Sequence, residues 1–343
     1  MASSRLELTC SQILAFRRRV GHLDARLTHG PANLRRAAWA GLQDSVPRAA
    51  LFSIHARVED TRPDTWADPN LVQLWGPRFN VYVVAARDHW VFTRGRLTDD
   101  QSRRNHAEAL AARLRALLGE GEMTYAQAGK ALGVHPNQLR HAAPTGSVLV
   151  RWDGAGKPTI RMVPPPEADR GDARRELARR FLHIFGPSSA ESFAEWAGVS
   201  LSHGVSTFDE IRRTLIPVHT PVGDAWILAR DEPEFRAEPG PPAPVRLIPS
   251  GDTYYLLRGN DRDLVVPDND RQRALWPSRV WPGAVLIEGE IVGTWRRTKD
   301  TVTIRPWVDL TRTEVELVEA EAGSLPVPDI VGTVKVEWAR WPV

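Results

Sequence analysis

Gln43, Asp44 and Ser45 stand in a row just ahead of a proline, where the chain must leave helical geometry. A glutamine carbonyl can orient a water molecule and aim a dipole at developing positive charge, and a carboxylate does both more strongly. A serine hydroxyl can bond the same water but has no useful basicity near neutral pH. Pro47 pushes the residue before it out of the α region, so residues 43–46 read as a short extended elbow. Residues two apart in an extended chain share a face. Gln43 and Ser45 are therefore expected to point one way. Asp44, the nearest carboxylate, is expected to point the other way, as an exposed cap or a partner for Arg48. These three are the candidate catalytic residues. A second cluster follows at Trp75, Arg78, Asn80 and Tyr82. Trp75 reads as core, whereas a tyrosine such as Tyr82 can donate to a phosphate or stack on a sugar or base.

The elements that would hold this elbow form a loose repeat of capped helix, second helix, third helix and β-hairpin. Residues 32–39 are helical by propensity, and Pro47 suits the first position of the next helix, where its missing N–H costs nothing. Thr9 with Gln12, Thr124 with Gln127 and Ser188 with Glu191 have capping-box spacing. In the first copy, residues 80–85 are expected to pair with 90–94. The second copy reads as helices over 105–118, 125–132 and 136–141. Its hairpin, 148–152 with 159–163, closes through Asp153-Gly154-Ala155-Gly156-Lys157. That turn lacks the full phosphate-loop pattern and reads as a wing. The third copy reads as helices over 172–185, 189–197 and 207–215, with a hairpin around 218–229.

Helix–turn–helix plus hairpin is the winged-helix layout. The expected fold is α+β, with three tandem winged units over residues 1–100, 101–168 and 169–236. A Pro-rich linker at 237–244 then leads to a small β-barrel-like domain at 245–343. In that domain 245–257, 264–266, 284–288, 290–295 and 301–304 alternate like short strands.

The net charge of +3 conceals an asymmetry. Residues 1–180 hold 28 Lys+Arg against 18 Asp+Glu, and residues 181–343 hold 17 against 24. A basic first half is the footprint of a polyanion partner such as duplex DNA. Arg140, Lys157, Arg48, Arg78, Asn80 and Tyr82 are the candidate DNA contacts. The single cysteine, Cys10, excludes an intramolecular disulfide and a cysteine-built metal site, and the ten histidines show no metal spacing. No metal or cofactor is expected. No apolar run of about 18 residues is present and the N-terminus lacks a signal-peptide pattern, so no membrane association is expected. The reading is of a monomer of the cytoplasm, associated with the nucleoid.

The segment Gly41-Leu42-Gln43-Asp44-Ser45-Val46-Pro47-Arg48-Ala49 resembles the AlkZ/YcaQ-type winged-helix DNA glycosylases, whose signature is Gln-x-Gln or Gln-x-Asp followed by Pro-Arg-Ala. The similarity continues at Leu8-Thr9 with Gln12, at 246–249, at 264–268 and at 289–297. Ser45 stands where the family has its second Gln or Asp. The family's Arg-Gly-Thr-x-His strand is met by Arg78, with Asn80 in place of Thr and Tyr82 in place of His. The resemblance implies a monofunctional glycosylase releasing bulky or cationic N7-alkylguanine from DNA, including crosslinks. N7-alkylation already weakens the glycosidic bond, so little leaving-group protonation is needed. None of the four lysines (Lys130, Lys157, Lys299, Lys335) is near the elbow in sequence to form a Schiff base. A weakly active or inactive lesion-binding protein and a transcription regulator are the alternatives.

Overall fold

The computed structural model describes residues 5–154, 156–328, 330 and 332–340. It is a mixed α+β chain with three small three-stranded sheets, each accompanied by helices, and one larger sheet near the C-terminus. No described helix is long and apolar enough to cross a membrane.

The elbow lies in the first small sheet. Leu42–Gln43 is a two-residue strand paired antiparallel with Val81–Ala85, which pairs in turn with Leu71–Trp75. The expected pairing of 80–85 with 90–94 is therefore corrected. His89–Arg94 is a helix, its Thr93 hydroxyl donates to the His89 carbonyl, and its Val91 and Phe92 are fully buried. The true partner of Val81–Ala85 lies upstream, across the loop Gly76–Asn80.

The second small sheet orders Glu122–Thr124, Thr159–Met162 and Val148–Arg151. Its helices run over Gln101–Leu118 and Tyr125–Leu132, with a 3-10 stretch at Pro136–Thr145. Ala155, in the expected wing turn, lies outside the described residues. In the third sheet Leu215–Thr220 and Gly223–Leu228 form a hairpin, and Leu6–Glu7 joins it in parallel, with Leu6 opposite Val218. The helix expected over 207–215 begins earlier, at Leu201, because Ser200 caps it, and it ends at Ile211. Capping also corrects the preceding helix. Ser189 rather than Ser188 accepts from the N–H of Ser192. The boxes at Thr9 and Thr124 form as spaced.

The C-terminal sheet is open rather than a barrel. Its order is Val245–Ile248, Gly283–Ile287, Glu290–Thr298, Thr301–Pro306 and Lys335–Trp338, the last pair parallel. A helix at Arg312–Gly323 covers one face, burying Val318 and Ala322 with Val245, Leu247, Val285 and Ile304. A sheet whose apolar face is covered by a helix has no need to close. Residues 249–257 and 264–266, expected as strand, are turns and the end of a 3-10 helix at Gly259–Leu264. Phe52, from the helix Ala49–His55 that follows the elbow, enters this core beside Trp295 at 6.0 Å. The elbow and the C-terminal sheet thus share a helix.

Candidate active site

The helix expected to start at Pro47 starts two residues later, and the reason lies in the elbow. Arg48 is left-handed at φ 66°, and the Asp44 carboxylate reaches forward to accept from the Ala50 N–H at 3.0 Å. A side-chain acceptor at this place satisfies one of the helix's orphan donors. Asp44 does face away from Gln43's side, but it is not exposed. It is 1% accessible, and its second oxygen accepts from Gln73 Nε2 at 2.7 Å. Gln73 in turn bonds both backbone groups of Trp152, at 2.6 and 3.1 Å, which fastens the 148–162 hairpin to the elbow. Burial pushes the Asp44 carboxyl up from its ordinary range, opposed by the bond from Ala50 and by Arg48. Asp44 holds the elbow together and does not open on the cleft.

Gln43 and Ser45 share an open cleft. A lobe of about 280 Å³ is lined by both, together with Arg78, Leu256, Arg279 and Trp281. Val46, Ser250, Val280 and Trp281 also border a second lobe of about 360 Å³, whose walls include Phe52, Trp295, Arg297 and Lys299. The first lobe's described lining holds no carboxylate and no lysine. Among the described residues no group of three or more His, Cys, Asp and Glu is placed to hold a metal ion.

Gln43 is gripped from two sides. The fully buried Tyr82, its cross-strand partner, donates from its hydroxyl to Gln43 Oε1 at 3.5 Å. From the other side comes the turn at Ser250–Asp252. That turn is anchored by Asp252, whose carboxylate takes a bidentate pair from Arg57 (both 2.7 Å) and a third bond from Ser53. Both charged partners are buried.

The expected DNA contacts divide. Arg78 lines the cleft, and among the described residues its guanidinium has no hydrogen-bond or ion-pair partner. Asn80 and Arg140 are partly exposed, and Lys157 is exposed. Two residues are corrected. Tyr82 has no accessible surface, and burial pushes its hydroxyl up to about 12, so it supports Gln43 and cannot reach a phosphate or base. Arg48 is 5% exposed, stacked over Trp66 at 3.6 Å and bonded to the Trp152 carbonyl, so it joins the elbow to the hairpin. Trp75 is core, as expected. The sequence reading missed Ser250, Gly251, Arg279 and Trp281. Ser250 and Gly251 had a signal in Pro249-Ser250-Gly251-Asp252, a turn pattern absorbed into an expected strand, and nothing in that pattern pointed to Arg279 or Trp281.

The model of the AlkZ-like DNA glycosylases matches residues 36–326. The chain belongs to this family. Over 161 residues it is 26% identical to the interstrand DNA cross-link repair glycosylase of Streptomyces sahachiroi. That match takes in 46% of the chain and 42% of the relative, so it spans less than half of that protein's length. The solved structure of the Streptomyces sahachiroi DNA glycosylase AlkZ superposes with a TM-score of 0.75 at 16% identity, over 98% of this chain and 100% of the other. At that identity the likeness is one of fold. The family match includes the elbow, the loop 76–80 and the turn 249–252, the three segments that meet at the cleft.

Proposed function

We propose that this family member is a monofunctional DNA glycosylase that hydrolyses the N-glycosidic bond of bulky or cationic N7-alkylguanine in double-stranded DNA, crosslinks included. The carrying observation is that Gln43 and Ser45 face one open cleft with the unpartnered Arg78, while Asp44 is buried behind them. In this reading the carbonyl of Gln43 orients a water toward C1′, and Ser45 adds a second bond to that water. The C1′–N9 bond breaks with its electron pair going to the guanine, which cancels the N7 charge. The water oxygen bonds C1′ and its proton leaves to solvent. A first lobe without a carboxylate suits a leaving group that is already cationic, since oxocarbenium stabilisation by a dipole is weaker than by an anion. The first lobe has no lysine among its described lining. Lys299, distant from the elbow in sequence, comes into the wall of the adjoining lobe but does not line the lobe with Gln43, which fits hydrolysis without a Schiff base. Three winged units, expected over residues 1–100, 101–168 and 169–236, would present the basic half to the duplex, with Arg78, Asn80, Arg140 and Lys157 toward it, although Leu6–Glu7 and the helix Cys10–Val20, expected in the first unit, pack with the third. Residues 245–343 form the remaining unit, beyond the linker.

The test is release of base from DNA carrying defined N7-alkylguanines, against the spontaneous rate. Gln43→Ala should lower release by at least about tenfold with little change in DNA affinity, because a water-orienting group acts mainly in the transition state. Equal loss of binding and release would make Gln43 a contact residue. The missing carboxylate also favours a second reading, a lesion-binding protein that does not cut. A wild-type protein that never exceeds spontaneous depurination would establish it.

A further inference from the structure

Two consecutive non-glycine residues at the cleft rim, Arg78 at φ 53° and Phe79 at φ 58°, are left-handed. This conformation is unfavourable for side chains with a Cβ and persists only where the surroundings impose it. Here they do. Gly198, which ends the helix Ala190–Ala197, leaves room for the Arg78 backbone, since a Cβ there would lie 2.9 Å from its N and Cα. Arg96 is buried and fastens the same two segments by donating to the Ala197 carbonyl at 2.8 Å and the Trp75 carbonyl at 3.1 Å.

The enforced turn sends the two side chains to different places. Arg78 goes into the lobe with Gln43. Phe79 lies outside that lobe's lining and stays partly exposed, with Arg96 over its ring at 4.8 Å, Arg140 at 5.6 Å and the His141 ring at 5.3 Å. The His106 ring continues the row at 6.4 Å from His141, and both histidines are exposed. An apolar ring flanked by cations, one residue from a cleft, matches what DNA needs when a nucleotide leaves the stack. The gap must be filled, and every base offers a π-face to stack on.

We propose that Phe79 is a wedge that enters the duplex and stacks on the bases beside an extruded nucleotide, with Arg140 and His141 bordering the same opening. The proposal rests on the reading of duplex DNA as substrate. It adds to that reading the residue that holds the lesion out of the helix and so selects lesions whose stacking is already weakened.

The experiment compares binding to an intact duplex and to the same duplex carrying one tetrahydrofuran abasic site, in which the gap is preformed. Wild type should prefer the abasic duplex, and Phe79→Gly should lower that preference by about tenfold, the scale of one lost base–aromatic stack. Phe79→Trp should keep it. Because no phosphate contact is lost, the salt dependence of binding should be unchanged in Phe79→Gly. Glycine takes φ 58° without penalty, so this variant should fold, with an unfolding midpoint near that of wild type. The wedge is overturned if wild type shows no preference, if Phe79→Gly keeps it, or if affinity for both duplexes falls equally. Base release by wild type is scored separately. Release with an unaltered preference in Phe79→Gly sinks the wedge alone, while a lost preference without any release sinks the glycosylase reading alone.

Discussion

Gly251 stands directly behind the amide of Gln43. A Cβ at residue 251 would lie 3.0 Å from Gln43 Nε2 and 3.1 Å from its Cδ, and the residue sits at φ 75°. Both the close approach and the dihedral call for glycine. The residue proposed to orient water is thus set in place by a turn more than 200 positions further along the chain.

Gly251→Ala should accordingly cost more in catalysis than in binding. The added methyl displaces the Gln43 amide, so base release should fall about tenfold or more while DNA affinity holds, since small misplacements of a positioning group are expensive. Single-turnover release together with a binding isotherm separates the two quantities. A variant that folds and releases base at the wild-type rate would remove Gly251 from this role.

The turn depends on Asp252. Removing this carboxylate leaves the buried Arg57 guanidinium unpaired, and breaking such a pair costs about 3–5 kcal/mol. Asp252→Ala should therefore show a clearly lower urea midpoint with an unchanged slope. A loss below about 1 kcal/mol would mean that Arg57 finds another partner.

Ser45 and Asp44 should respond in opposite ways. Ser45 is exposed in the cleft, so Ser45→Asp should fold with a cost under about 1 kcal/mol and raise release of less activated lesions. Asp44→Ala strips the buried Ala50 N–H of its acceptor and leaves Gln73 Nε2 only the Trp152 carbonyl, and should cost about 2–3 kcal/mol of stability. Rates on neutral and cationic lesions, set beside thermal melts, decide the matter. No gain from Ser45→Asp, with abolished release in a folded Asp44→Asn, would make Asp44 the working carboxylate.

Stability should fall on mild acidification. Burial is the leading cause holding His22, His55 and His203 neutral, lowering each from 6.5 to about 4. The unfolded chain takes up these protons near pH 6.5 and the folded protein only near 4, so unfolding binds protons across that window. The contribution is complete above about pH 6.5 and is lost as pH drops toward 4. Urea midpoints at pH 7.5 and 5 measure it, and His55→Gln should reduce the difference. A wild-type difference that His55→Gln leaves unchanged would contradict the burial of that ring, since the raised carboxyls of Asp24, Asp44 and Asp261 act with the opposite sign in both proteins.

The sequence carried the local part of this architecture. Thr9 and Thr124 with their Gln partners, the 125–132 helix and the hairpin at 148–162 follow from short-range capping and alternation, and they form where expected. The shared face of Gln43 and Ser45 follows likewise from backbone period. Long-range relations were not legible. Nothing near Asp44 shows that Gln73 and Trp152 will bury it, and nothing near Tyr82 shows that Gly41 and Gly76 leave a slot for its ring. Trp90-Val91-Phe92-Thr93 is rich in strand-favouring residue types, but its helical state and burial come from tertiary partners that local pattern does not encode. The covering helix Arg312–Gly323 was missed although Thr311 and Glu314 form a capping box with the spacing used elsewhere.

Leu6 pairing with Val218 has a consequence for the order in which the chain can become native. A ribosome must deliver some 210 further residues before the strand Leu6–Glu7 finds its neighbour. Contacts of such high sequence separation form late and slow the overall rate, because loop closure precedes any reward from pairing. The three strands of the elbow's own small sheet, by contrast, all lie within the first hundred residues, although Asp44 still waits for Trp152 to close over Gln73 and Gln43 waits for Gly251. During synthesis that small sheet can therefore pair while the helix at Cys10–Val20 still waits for its partner, leaving Ile13 and Phe16 in need of temporary cover.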